Sequence, residues 1–305
     1  MAPSPTLLPL ATAAALCAFA ANSILCRLAL RTEEIDPASF TTIRLVSGAL
    51  TLWLVMAVAA RRGGKSNEPS GGTWISASLL FLYAIAVSFA YVTLNAGVGA
   101  LILFGAVQLT MILRGQMLGE RLPLLAWLGL SAAIGGLVVL VAPGIAMPDP
   151  LGAVLMAVAG ISWGFYSLRG RGSKRPMAAT AGNFLRAAPL AIAASGIALG
   201  WLAPHSSPFG VLLAITSGAV TSGLGYVIWY AALPGLTASR AAAVQLTVPV
   251  IAAAVGVVLL GEDLTLRLLV SVVLTLGGVG LVVGIRGRAG KAKAESGTRK
   301  AAREG

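Results

Sequence analysis

The chain has 305 residues, 57% of them hydrophobic and 10% charged, with a mean hydropathy of +0.90 and a formal net charge of +12. A soluble domain carries about 25% charged residues, so this length must lie largely in lipid or be buried against other spans. The charge does not point to nucleic acid: no basic helix or aromatic-studded sheet is visible, and the Lys and Arg fall in short loops between apolar runs.

A helical span needs about 20 mostly apolar residues. Ten segments qualify: 6–27, 37–60, 74–94, 98–113, 124–142, 151–168, 176–202, 209–233, 238–260 and 264–285. No basic stretch precedes the first apolar run, which reads as a span and not as a cleavable leader. The tail after Arg286 is small and basic, and disorder is expected there. With the N-terminus inside, seventeen cations of the loops and tail fall on the inner side, among them Arg61, Arg114, Arg169 and Arg175. Only Arg27, Arg31 and Arg267 fall outside. The positive-inside rule then places both termini in the cytoplasm of a multi-pass inner-membrane protein.

The chain repeats itself. Val107-Gln108-Leu109-Thr110 returns as Val244-Gln245-Leu246-Thr247. Arg44 is matched by Arg186, Glu120 by Glu262, and Gly135-Gly136 by Gly277-Gly278, each 142 residues later. Two halves of five spans each must enter the membrane in opposite senses, an arrangement that puts the working site at their interface. The expected fold class is an all-α membrane protein of ten transmembrane helices in two inverted five-helix repeats. The first repeat is assigned to residues 1–145, the second to 146–286, and a basic cytoplasmic tail to 287–305.

Two five-helix repeats, a Gly-Glu-x-Leu turn after the fourth span of each (Gly119-Glu120-Arg121-Leu122 and Gly261-Glu262-Asp263-Leu264), and a Gly-rich fifth span resemble the drug/metabolite transporter superfamily, EamA type. Within it the chain looks most like bacterial exporters of aromatic and other neutral amino acids. The resemblance implies alternating access without a cofactor. One departure is that Pro249 has no proline mate; the first half carries Ile112 there.

Every Asp and Glu falls in a loop, turn or tail, and the single histidine, His205, in an outer loop. Proton-coupled carriers keep an ionisable relay at membrane depth. A neutral or zwitterionic small-molecule substrate moving down its own gradient is therefore expected. A nucleotide sugar or organic phosphate would call for several cations facing the pathway, and only Arg44 and Arg186 lie clearly within spans. Either could hold a substrate carboxylate, but their matched placement favours a structural role, capping carbonyls, pairing with loop acids or snorkelling toward headgroups. A non-transporting scaffold is the reading from another class.

The candidate substrate-binding residues are the polar Asn22, Asn95, Gln108 and Gln245 and the aromatic Tyr83, Tyr91, Trp163, Tyr166, Tyr226 and Tyr230. Each could instead serve packing or interhelical hydrogen bonding. Tyr226 and Tyr230, four apart, share a helix face, as do Trp163 and Tyr166, three apart. The first, third, fourth, sixth, eighth and ninth spans are expected around the cavity. The fifth and tenth are expected at the periphery, where they are candidates for homodimer contacts. Pro189 and Pro249 are candidate hinges, since proline removes a backbone hydrogen bond and kinks a helix. Gly160/Gly164, Gly196/Gly200 and Gly280/Gly284 have the spacing of close helix packing. Hydrolase, P-loop and metal-ligand motifs are missing from the sequence, so neither an enzyme nor a metal site is expected.

Overall fold

The computed structural model describes residues 7–61, 71–119, 123–143, 147–170, 173–200, 203–236, 241 and 244–304, with side chains as far as 285. Among these residues the structure is helical, with a single isolated backbone bridge between Ile35 and Ser206. The helices are α1 (Leu7–Arg31), α2 (Pro37–Arg61), α3 (Trp74–Ala90), α4 (Ala96–Met117), α5 (Leu124–Val141), α6 (Pro150–Gly170), α7 (Pro176–Ala198), α8 (Pro208–Gly235), α9 (Thr247–Leu260) and α10 (Leu266–Glu304). Seven are long and apolar enough to cross a membrane. Helices α3 and α9 are apolar but shorter, at 17 and 14 residues.

The helix starts are written in the sequence. Asp36 accepts hydrogen bonds from the Ala38 and Ser39 amides, ahead of Pro37. Ser207 accepts from the Gly210 amide, ahead of Pro208, and Asp149 from Gly152, ahead of Pro150. A polar cap followed by proline satisfies one exposed amide and removes another. The two Gly-Glu turns follow α4 and α9, where Gly119 (φ +87°) and Gly261 (φ +61°) take the left-handed conformation. Only glycine enters it without steric cost, which is why both turns carry one.

The tail departs from expectation. Helix α10 runs on to Glu304 where disorder was expected. Its run of Ala, Lys, Arg and Glu has high helix propensity, and that outweighs its poverty in apolar residues.

The connections α1–α2, α3–α4, α5–α6, α7–α8 and α9–α10 meet at one end of the bundle. The Asp36 amide donates to the His205 carbonyl (3.0 Å) and the Ser207 amide to that of Glu34 (2.7 Å). Thr93 donates to Asp149 (3.1 Å), Arg31 to the Leu260 carbonyl, and Arg267 to that of Ala142. At the opposite end Arg169 reaches Ser76 and Thr73, and the Thr73 amide donates to Asn183.

Helix α8 is not uniform. Its stretch Thr216–Leu224 is π-helical, between α-helical turns on either side. Here α8 crosses α2 closely: a Cβ on Gly218 would run into Ser47 Oγ and the Arg44 carbonyl. We expect Gly218→Ala to cost about 1–3 kcal/mol by overpacking. Gly277→Ala, where a Cβ meets nothing within 4 Å, should be neutral or mildly stabilising. Thermal unfolding of the two variants in detergent checks the contrast.

Helices α5 and α10 pack against each other. A Cβ on Gly136 would meet Thr275, and one on Gly129 the Gly278 carbonyl (2.7 Å). Gly136 and Gly278, of the matched double glycines, thus serve contacts within the chain. Gly160 and Gly164 bring α6 onto α4 at Leu103, Ala106 and Thr110. The other two spaced pairs do not pack this way. Gly196, Gly200, Gly280 and Gly284 have no neighbour closer than 3.6 Å to such a Cβ among the described residues, so spacing alone misled there. Large apolar side chains such as Leu50, Trp53, Trp74, Trp127, Val258 and Val273 are exposed on the outer faces, as lipid contact requires.

Candidate functional site

A cavity of about 860 Å³ lies between the helices. It is lined from α1, α2, α3, α4, α6, α7 and α8 and from Ala241 and Gln245 ahead of α9, whereas α5 and α10 contribute nothing. Helices α2 and α7 were not expected in this wall. The cavity extends to the end where Thr73, Arg169, Gly170 and Ser173 lie. In the other direction it stops at the level of Asn22, Ser23 and Val87.

Its wall is aromatic. Trp163 lies 4.7 Å from Tyr83, 5.0 Å from Tyr166 and 5.7 Å from Tyr226, measured between ring centroids. Tyr226 continues to Tyr230 at 6.2 Å, and Phe19 joins Tyr226 and Trp229 at 5.7 and 5.8 Å. The hydroxyls are tied down at the rim of this cluster. Asn183 donates to the Tyr166 hydroxyl (3.3 Å), and Thr180 bonds that of Tyr230 (2.9 Å).

Asn22 is held by the π-helical stretch. Its Oδ1 accepts from Ser217 and Thr221, both at 2.7 Å, and its Nδ2 donates to Ser222 (3.1 Å). In an α-helix residues five apart point about 140° from each other. The wider π turn brings Ser217 and Ser222 onto one face, so all three hydroxyls reach one amide. Sequence periodicity carries no signal for this; the available signal is that Ser217, Thr221 and Ser222 are polar residues in an apolar span.

Of the ten residues predicted from sequence, Asn22, Tyr83, Gln108, Trp163, Tyr166, Tyr226, Tyr230 and Gln245 line the cavity together. Tyr91 and Asn95 lie elsewhere. The third span ends as helix at Ala90, so residues 91–95 form the connection at the closed end. There Tyr91 is fully buried with its hydroxyl toward the Ala96 carbonyl, and Asn95 Oδ1 faces Arg27 at 3.4 Å. Pro189 sits inside α7, and Pro249 in the first turn of α9, just after a break in the helix at Leu246. Phe19, Trp229, Asn183 and Arg44 also line the cavity without having been selected.

The closed end holds a buried ion pair. Arg27 Nε lies 3.4 Å from Glu262 Oε1, with both side chains under a tenth exposed. Arg27 also donates to the Tyr91 and Val92 carbonyls at 2.9 Å. Glu262 accepts from the Ala96 amide with both oxygens (3.0 and 2.9 Å), at the start of α4. Glu262 lies in the connection between α9 and α10, as expected of the acids, but the turn at Gly261 directs it inward, where a cation and a helix N-terminus stabilise it. Glu120, its sequence mate, lies outside the described residues. No Asp or Glu is among the described residues lining the cavity.

The two matched arginines have diverged. Arg186 Nη1 donates to the Gly71 and Gly182 carbonyls (3.1 and 2.9 Å), a capping role as expected. Arg44 caps no neighbouring element and has no acid within 4 Å among the described residues.

Comparison with known proteins fits this architecture. Residues 150–284 match the model of the EamA-like transporter family. A protein of Pseudomonas aeruginosa described only as uncharacterized is 49% identical over 287 residues, which is 92% of this chain and 96% of that one. A crystal structure titled only as that of a protein superposes with a TM-score of 0.64 at 18% identity, over 92% of this chain and 98% of the other, and shares its fold. The chain belongs to the EamA-like transporter family.

Proposed function

We propose that this membrane transporter of small solutes exports neutral amino acids, aromatic ones included, by alternating access between two inverted five-helix repeats. The observation that carries the reading is the cavity: it has an aromatic wall, no acid among the described lining residues, one end toward solvent and the other shut by buried contacts. Its size falls within the range of about 300–1,000 Å³ usual for small-molecule sites. An amino acid with an aromatic side chain meets ring faces there, with amide handles at Asn22, Gln108 and Gln245.

Orientation follows from charge. The end reached by the cavity carries Arg61, Arg114, Arg169 and Arg175, and the positive-inside rule makes it cytoplasmic. The cavity then faces the compartment in which an exporter loads. The repeat reading is supported by the left-handed glycine in both Gly-Glu turns and by the family match over the second half. Pro189 and Pro249 are the bending points, and both are in the second half. With Arg44 and Arg169 and no acid among the described lining residues, the cavity is poorly matched to drugs that are permanent cations.

Cells producing the chain should tolerate a higher dose of a toxic analogue such as 4-fluorophenylalanine than cells with empty vector. Equal sensitivity at verified expression would contradict the reading. Accumulation in vesicles that follows an imposed pH gradient, without a substrate gradient, would contradict facilitated diffusion.

A further inference from the structure

The arginines engaged by the protein include Arg27 by Glu262 and two carbonyls, Arg186 by two carbonyls, Arg169 by Ser76 and Thr73, Arg31 by the Leu260 carbonyl and Arg267 by that of Ala142. Arg44 is different. It is 3% exposed and lines the cavity. Its Nη2 donates to the Tyr83 hydroxyl (3.3 Å), and its guanidinium carbon sits 5.4 Å from the Tyr83 ring centroid. Its Nη1 is buried and has no hydrogen-bond partner among the described residues. An uncompensated buried cation with an idle donor is costly, and such groups inside membranes mark pathways and ligand sites.

We propose that Arg44 is the carboxylate anchor of the cavity. This rests on the transport reading and narrows its substrate class to small molecules with a carboxylate at one end and an aromatic or apolar body at the other. A carboxylate supplies both what Arg44 lacks, a counter-charge and acceptor oxygens, and arginine binds it in a planar, two-pronged geometry. Tyr83 borders Arg44 and leads directly to Trp163, Tyr226 and Tyr230, so the body of the ligand lies along ring faces. An ammonium group, when present, is accommodated against those faces and needs no acid. A dianionic phosphate would leave one charge unmatched at this anchor.

The test is binding to the purified chain in detergent, read by tryptophan fluorescence, with three probes. These are L-phenylalanine, 3-phenylpropionate (no ammonium) and phenethylamine (no carboxylate). The wild type should bind both carboxylates at least tenfold more tightly than phenethylamine. Arg44→Gln should bring them down to the level of phenethylamine and leave phenethylamine itself unchanged. Arg44→Lys should recover part of the loss, and Tyr83→Phe should stay within about threefold of wild type if the charge is what matters. Should Arg44→Gln fail to fold, the lysine variant and the wild-type probe ranking decide. Phenethylamine bound as tightly as the acids by wild type, or acids bound unchanged by Arg44→Gln, overturns the anchor, as does a wild type that binds no carboxylate probe. Export of phenylalanine undiminished in Arg44→Gln would overturn the anchor and leave the transport reading standing. Arg44-dependent binding of 3-phenylpropionate, with no amino acid carried, would do the reverse.

Discussion

Glu262→Gln should be among the most damaging single substitutions in this chain, lowering stability by about 3–5 kcal/mol, the usual cost of removing one partner from a buried ion pair. The carboxylate answers two demands at once. It faces the Arg27 guanidinium, and it accepts the Ala96 amide at the start of α4 with both oxygens. Without it the Arg27 charge stays buried and keeps only carbonyl and amide acceptors. Replacing both residues, as in Arg27→Met with Glu262→Gln, removes the stranded charge and should recover much of the loss. Unfolding of the two single variants and the double variant in detergent, analysed as a cycle, measures this coupling. If Glu262→Gln unfolds like wild type, the pair is not holding the closed end together.

Trp163→Ala should have the largest effect on transport among the aromatic residues of the wall. Trp163 is central: it contacts Tyr83, Tyr166 and Tyr226, and it lines the cavity. Truncation removes about 100 Å² of apolar contact from a passing ring. At about 25 cal/mol per Å² this is worth about 2.5 kcal/mol, or a factor of about 70. The neighbouring tyrosines also lose the partner that orients them, at about 0.5–1.5 kcal/mol per pair. Efflux of labelled phenylalanine should therefore fall by about two orders of magnitude with expression retained, and Trp163→Phe should keep most of it. Alanine has a smaller, less aromatic-dependent contact, so its efflux should fall less. An unchanged phenylalanine rate would remove the aromatic wall from the solute path.

The parts of this structure legible in the sequence are those set by local physics. Apolar runs gave the helices, because backbone groups in lipid must be satisfied within the helix. The Gly-Glu turns gave stops. Eight cavity residues could be named because polar and aromatic side chains at membrane depth have few other uses. What could not be read depends on a partner far along the chain. Nothing local says that Glu262 turns inward, since its reason is Arg27, 235 residues away. Nor does the repeat show that Arg186 finds carbonyls while Arg44 does not: the 142-residue offset matches their positions, but their neighbours differ. Tyr91 lies outside the cavity for a simpler reason. Apolar character continues four residues past the end of α3, so the span looked longer than the helix is.

Counterflow in liposomes containing only the purified chain tests the central claim most directly. Vesicles loaded with unlabelled L-phenylalanine should take up labelled L-phenylalanine transiently above equilibrium, saturably and without an ion gradient. Uptake no greater than in protein-free liposomes, for phenylalanine and for every other neutral amino acid tried, would contradict the account.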